Sequence, residues 1–321
     1  MNETGLLWVY DRVNRSFAER HPRVICCERD LYAVKPRGAP KDQRLESVAL
    51  AQVDGDCATG VRTIISPLTG VPSHYVRSLI SYFVGLQYSR LPSMREFVTT
   101  MWERGVKEMM RLTAVNEGRM QSVIDNYERD IGETIEVSAK TMVEVIQRDG
   151  LKVVVTEQPF LKHVFNTAKM VADSVIRASW QILRAPVEAG FMLCDAPVAV
   201  VPPRGVRQIG FHVPRTVTYV PLSRAACLRV SRYGRRPLQY RYIDGQTAAL
   251  INQNIAANSD RFIMGPSRRE LETVVDLSRC QVPYEMPRAT FQRHEQNDDG
   301  SFEVVTVNPR NYFYLPDGRT P

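Results

Sequence analysis

Between residues 75 and 92 the apolar positions recur at helical spacing. Val76, Leu79, Ile80, Phe83 and Val84 make one stripe. The next two positions on that stripe are Gln87 and Arg90, polar where the pattern calls for Leu or Val. An arginine at the inner end of an apolar helix face is costly unless a carboxylate or phosphate meets it. Leu91-Pro92 then ends the helix, because proline disfavours a helical predecessor. Gly85, in the middle of the stripe, reads as a place where another helix crosses.

The same reading predicts helices over most of 43–184. One begins near Arg44, with Leu45, Ala49 and Val53 on its stripe and Glu46 and Asp54 on the flank; Gly55 and Gly60 weaken it beyond that point. Ser93 and Glu96 form a capping-box pair for a helix that runs to about residue 114. Shorter helices follow over 118–129 and 134–147. Residues 152–156 are β-branched and suit a strand or a helix end. Over 160–183 the period holds throughout, which predicts one long helix. His163 and an Asp173/Arg177 pair at i,i+4 lie on its solvated side. After Pro186 the texture becomes strand-like, over 190–194, 198–201, 215–222, 227–232, 238–243, 261–264 and 302–307, with helices over 246–258 and 267–277. At the start, residues 6–10 are expected to form a strand paired with 24–27, with a polar, turn-like stretch between. The order implies an α+β fold, a helical N-terminal half packed on a mixed or antiparallel sheet from the C-terminal half. We read 1–278 as a single domain (43–185 mainly helical, 186–278 mainly strands plus two helices) and 279–321 as a C-terminal extension.

Composition supports a buried core: hydrophobic residues are 44% and charged residues 24% of the 321. No stretch approaches the ~18 apolar residues of a membrane span, and the first ten residues lack the build of a signal peptide. A cytoplasmic location with no membrane contact is therefore expected. The six cysteines, Cys26, Cys27, Cys57, Cys194, Cys227 and Cys280, form no CxxC pair and read as reduced core residues. The five histidines are scattered, which argues against a zinc site. The formal charge of +7, carried overwhelmingly by arginine, suits nucleic acid or another polyanion; compositional bias would produce the same excess.

Several stretches are recognisable together. They are Leu7-Trp8-Val9-Tyr10-Asp11, Leu45-Glu46 with Val53-Asp54, the run from Phe83 to Pro92, Trp180, Gly190 to Pro197, Val220-Pro221-Leu222-Ser223, and Ile251-Asn252 leading to Asp260-Arg261-Phe262-Ile263. In order and spacing, over about 7–275, they resemble a bacterial family known as domain of unknown function 4238. Members usually open with a His-x-Val-Pro-type segment ahead of the Trp-Val-Tyr run, which this sequence lacks. Asp54 and Ser259 stand where the family usually has Glu and Ala. The resemblance implies no activity, but it marks Glu46, Asp54, Gln87, Arg90, Asp195 and Asn252.

These six are the candidate catalytic residues. Glu46 and Asp54 are eight residues apart, ~12 Å along a helix axis, too far to chelate one metal unaided, but one of them is placed to meet Arg90. Asp195 ends a buried strand, and Asp-x-Pro is also a turn starter. On one reading the set is a buried network with a bidentate Arg90–carboxylate pair. On the other, acidic groups hold Mg²⁺ or Mn²⁺ while Arg90 or Gln87 orients phosphate or water. A second candidate surface is Arg229, Arg232, Tyr233, Arg235, Arg236, Tyr240 and Arg241. Arginines interleaved with tyrosines suit phosphate contact plus base stacking; a solvated hairpin is the plainer alternative. No GxGxxG, P-loop or GxSxG occurs. Two functions are left: a metal-dependent hydrolase of nucleic acid or a phosphoester, and a non-catalytic nucleic-acid- or protein-binding module. Either could serve a toxin or defence role.

Overall fold

The computed structural model describes residues 5–25, 32, 50–66, 71–148, 150–206, 210–231 and 238–275, two strands at 293–296 and 302–305, and Asp317. Strand β1 (Leu7–Asp11) pairs antiparallel with β2 (Ser16–Arg20). Asp11 closes the turn between them, its Oδ1 accepting from the backbone N–H of Val13 at 3.0 Å and of Asn14 at 3.2 Å. The hairpin partner is thus 16–20, within the stretch expected to be turn-like. Phe17 gives β2 its anchor, packing on the Tyr10 ring at 4.8 Å. Val24, expected to open the second strand, instead ends a 3-10 turn (Pro22–Val24) capped by the His21 ring; Cys26 and Cys27 lie outside the described residues.

Six helices follow: α1 (Ala51–Ile65), α2 (His74–Ser89), α3 (Pro92–Thr113), α4 (Glu117–Ile131), α5 (Ala139–Gln147) and α6 (Glu157–Arg177). Side chains of Ser73, Asn116 and Ser138 cap the N-termini of α2, α4 and α5. Pro92 both stops α2 and, as the first residue of α3, starts the next helix; Leu91, not Ser93, is the cap position. Helix α1 continues through Gly55 and Gly60 despite their propensity. Gly60 is buried beside Ile80, where a Cβ would stand 3.2 Å from its terminal carbon. The expected crossing at Gly85 is present: a Cβ there would overlap the Ala168 carbonyl of α6. Residues 152–156 are neither strand nor helix.

The long helix ends at Arg177, not near 183. Ala178 is extended, and Trp180 Nε1 donates to the Val175 carbonyl at 2.9 Å. The next residues form β3 (Ser179–Arg184). Then come β4 (Leu193–Cys194), β5 (Ala199–Val201), β6 (Val217–Ser223), β7 (Ala226–Ser231), β8 (Gln239–Tyr242), α7 (Gly245–Asn258), β9 (Phe262–Gly265) and α8 (Arg268–Val274). A hairpin of β10 (Arg293–Gln296) and β11 (Phe302–Val305) closes the order. The five-stranded sheet runs β5-β6-β7-β3-β8, antiparallel except where β8 lies parallel to β3. The four-stranded sheet runs β2-β1-β9-β4 and is antiparallel. With the helices mostly in the N-terminal half, the fold is α+β.

Alternation along the strands sorts the core. Trp180, Ile182, Val220, Leu228 and Val230 face the helical layer and pack with Ile80 and Val84 of α2 and Val171 and Val175 of α6. Leu183, Val217, Tyr219 and Cys227 face the other way, onto Ile251 and Ile255 of α7. Ala256 of α7 instead joins Tyr10, Ile263 and Leu271 against the four-stranded sheet. Helix α7 therefore lies between the two sheets, which is why it is buried on several faces and carries buried Asn252, Asn254 and Asn258.

Candidate functional site

Arg90 caps the C-terminus of α2, and Asp54 lies in the first turn of α1. One guanidinium nitrogen, Nη1, sits 3.3 Å from each Asp54 oxygen. The predicted two-pronged pairing is not formed. The side chains are 18% and 45% exposed, so this is a pair at the edge of the core and its contribution falls in the range of about 0–1 kcal/mol. The Tyr32 hydroxyl donates to the Arg90 carbonyl at 2.9 Å, fixing the end of α2. One turn beyond Asp54, burial pushes the Cys57 thiol up to about 12, with the charges of Asp54 and Asp56 acting the same way; such a thiol is inert. Gln87 is half-buried and makes no hydrogen bond among the described residues. Glu46 lies outside them.

Asp195 directly follows β4 and faces the loop that leads into β9. Its Oδ1 accepts from the Asp260 N–H at 2.9 Å, and its Oδ2 from the N–H groups of Arg261 at 2.6 Å and Phe262 at 2.9 Å. Burial pushes its pKa up to about 6. The neighbouring Asp260 pushes the same way, and the three amide donors pull against both. Arg261 reaches across to Asp11, with Nη2 2.8 Å from Oδ2. Burial alone would raise the Asp11 carboxyl; hydrogen bonds from Arg261 and Asn14 outweigh it and hold the carboxyl below its ordinary value. Arg12 donates from its backbone to the Arg261 carbonyl at 2.9 Å and from its guanidinium to Ser259.

Asn252 and Asn258 act from α7. Asn252 Oδ1 accepts from the Met192 N–H and its Nδ2 donates to the Gly190 carbonyl, each at 3.0 Å. Asn258 Nδ2 donates to the carbonyls of Ala196 and Val198. Sequence reasoning missed Asn258; three asparagines in a helix with no clean polar face were the available signal. A carboxyl near pH 6 is in the range for proton transfer, but three main-chain donors occupy this one. The chemistry this arrangement performs is tethering: Asp195 ties β4 to β9, and the asparagines tie 190–198 to α7.

The six predicted residues thus fall into two sets. Asp54 and Arg90 join α1 to α2, and Asp195 and Asn252 join the segment around β4 to its neighbours. No hydrogen bond or ion pair links the sets among the described residues, and no group of three or more His, Cys, Asp or Glu side chains suited to a metal occurs among them.

Of the second predicted surface, Arg229, Tyr240 and Arg241 are described; Arg232, Tyr233, Arg235 and Arg236 lie outside. Strand register sets Tyr219, Arg229, Gln181 and Gln239 side by side across β6, β7, β3 and β8. Tyr219 is buried under α7, and beyond it the row emerges. Arg229 Nη1 donates to Gln181 Oε1 and Gln181 Nε2 to Gln239 Oε1, both at 3.1 Å. Arg241, opposite Leu183, shares this face. Tyr240 does not. It packs against the helical layer and its hydroxyl lies within hydrogen-bonding distance of the Ile64 and Ser66 carbonyls at 3.0 and 2.9 Å, so it is not placed to stack on a base. Tyr242, at the strand end, is 82% exposed.

On the opposite face of the sheet is a cleft of about 440 Å³ that sequence reasoning did not foresee. The end of α6 forms one wall, the chain entering β6 the other.

Among the described residues, no helix is long and apolar enough to cross a membrane. No curated protein and no solved structure matches the chain. The stretches behind the resemblance have a shared place in the fold: Trp8 to Asp11, Cys194 to Pro197 and Asp260 to Ile263 meet around the Asp195 carboxylate and the four-stranded sheet. The family described as "Protein of unknown function (DUF4238)" matches residues 2–269, most of the chain, and the chain belongs to that family.

Proposed function

We propose that the protein is a non-catalytic module that binds nucleic acid or a similar polyanion through the Arg229–Gln181–Gln239 face of its five-stranded sheet. One observation carries this reading: Arg229, Gln181 and Gln239 form a continuous hydrogen-bonded row across three strands, half-buried at Arg229 and Gln181 and exposed at Gln239. Arg241 lies beside the row and Tyr242 stands exposed at its edge. Guanidinium groups supply phosphate contacts, planar amides supply base-edge contacts, and the net charge of +7 favours the encounter. The metal-dependent hydrolase reading keeps one support, the Asp195 carboxyl raised to about 6; its engagement by three amides weighs against it.

The test is a titration of the protein with labelled single- and double-stranded DNA and RNA at two salt concentrations, with Mg²⁺, Mn²⁺ or EDTA. Binding should weaken steeply with salt and ignore EDTA. Arg229→Gln with Arg241→Gln should lower the slope of log K against log salt by about one for each phosphate that is no longer neutralised. Cleavage that needs metal would overturn the module reading, and absence of binding at low salt would make the positive charge incidental.

A further inference from the structure

We propose that two copies of this chain pair through the outer half of α3, packed antiparallel, with Gly105 of each helix receiving Met109 of the other. The inference goes beyond the nucleic-acid reading and does not depend on it. One stripe of α3 runs through Val98, Trp102, Gly105, Met109 and Leu112, at the alternating four- and three-residue spacing with which one helix packs against another. Val98 is the one buried residue of the 22 in α3, and it packs in a cluster with Leu86 and Val164. Beyond it the same stripe is bare: Trp102 is 46%, Met109 65% and Leu112 64% exposed. Met101 beside the stripe and Val115 just past the helix end are exposed as well.

Three observations point to a second copy as the occupant. The first is fit. The spacing suits another helix, and Gly105, in the middle of the stripe, has no atom within 4 Å of where a Cβ would stand. Glycine inside a helix is unfavourable relative to alanine, and nothing in the packing of the single chain calls for it at this position. In α2, Gly85 lets the Ala168 backbone of α6 come close. Gly105 offers the same gap on a bare surface, as a hole for a methionine knob.

The second is charge. With Trp102 opposite Leu112 and Gly105 opposite Met109, the exposed Arg104 of each copy lies within about one helical turn of the exposed Glu108 of the other. The arrangement is self-complementary, as a two-fold interface has to be. The other flank of the stripe, Thr99, Val106 and Thr113, is already half-buried. The two copies therefore share the Arg104/Glu108 flank, which only an antiparallel pair brings together. A helix lying on a membrane surface carries a basic polar face. Here Glu103 and Glu108 are mixed with Arg104, Lys107 and Arg111.

The third is size. The bare stripe is on the order of the few hundred Å² at which an apolar patch on a monomer is commonly functional. Two such stripes with their flanks approach about 1,200 Å², the lower end of specific interfaces. A dimer held at micromolar concentration follows, with Trp102 as its largest anchor.

The experiment is sedimentation velocity on the full chain, freed of nucleic acid, from about 1 to 300 μM. The mass should rise from 36.5 kDa toward twice that value and stop there. Met109→Glu and Leu112→Glu should each weaken the dimer at least about tenfold, and leave the Tm of the dilute protein unchanged because both side chains are exposed in the monomer. Gly105→Ala should raise that Tm and weaken the dimer, opposite effects that a merely structural glycine would not show. Arg104→Glu and Glu108→Arg should each weaken it about threefold at low salt, and the double swap should restore it. Vesicles of phosphatidylserine and phosphatidylcholine are the separate probe for a lipid surface. The proposal is overturned if the chain stays monomeric throughout, whether or not it binds the vesicles. It is overturned equally if the dimer ignores both glutamate variants, if Gly105→Ala does not weaken it, or if the double charge swap is weaker than either single one.

Discussion

The junction around Asp195 and the cleft beside α6 are both polar inclusions next to a β-sheet, and they are built in opposite ways. At the junction the polar groups serve the chain itself. Three amides converge on one carboxylate, Arg261 spans to Asp11, and Asn252 closes both ends of its side-chain amide on backbone. Beside the cleft the buried Thr216 hydroxyl and the exposed Asp173 and Arg177 charges have no such partners among the described residues. Polar residues in the stretches that carry the family resemblance therefore need not mark chemistry. Here Asp195 and Asn252 hold strands and helix together.

The largest test of this contrast is Asp195→Ala. It leaves three amide donors without their acceptor, and we expect a loss of roughly 3–5 kcal/mol in urea unfolding. The difference should also depend on pH. The Asp195 pKa rises from its ordinary 3.8 to about 6 in the folded protein, so its contribution is fully present below about 3.8 and is lost as pH rises through about 6. The gap between wild type and variant should therefore narrow from pH ~4 to pH ~7; a gap that widens would mean the amide donors, not burial, govern the carboxyl. Next in size is Asn252→Ala, which strips the partners of the Met192 N–H and Gly190 carbonyl and should cost roughly 2–3 kcal/mol by the same measurement. Smallest is the Arg90–Asp54 pair. A double-mutant cycle with Arg90→Ala and Asp54→Ala should give a coupling below about 1 kcal/mol that fades with added salt. A coupling of several kcal/mol would place that pair with the junction, as a buried tie.

The helical half was legible because α2 and the body of α6 are one-sided helices whose apolar period is plain. The end of α6 was not. Trp180, Ile182 and Leu183 continue the apolar count, but β3 is buried on both faces, and such a strand reads as an unbroken apolar run that fits either period. Strand β2 was missed because three of its five residues are exposed or charged and only Phe17 anchors it. The acid that meets Arg90 was foreseen as Asp54 or Glu46, since an inward arginine demands one. The turn-starting reading of Asp195 pointed toward its tethering role. The cleft was illegible for a physical reason: Asp173, Ser174 and Arg177 read as a solvated helix face, and only the fold brings Phe211, Thr216 and Thr218 beside them.

The pairing of β1 with β9 has a consequence for how the chain is made. Asp11 lies opposite Phe262, so about 250 residues separate the partners. At synthesis rates of about 5–20 residues per second, the N-terminal hairpin waits roughly 12–50 s for its central neighbour. A lone two-stranded hairpin is marginal in water, and until β9 emerges Trp8 and Tyr10 border an unpaired strand edge open to other chains. The four-stranded sheet thus cannot be completed until β9 has been made, long after its first two strands, and the nascent chain is open to misassociation at that edge while it waits.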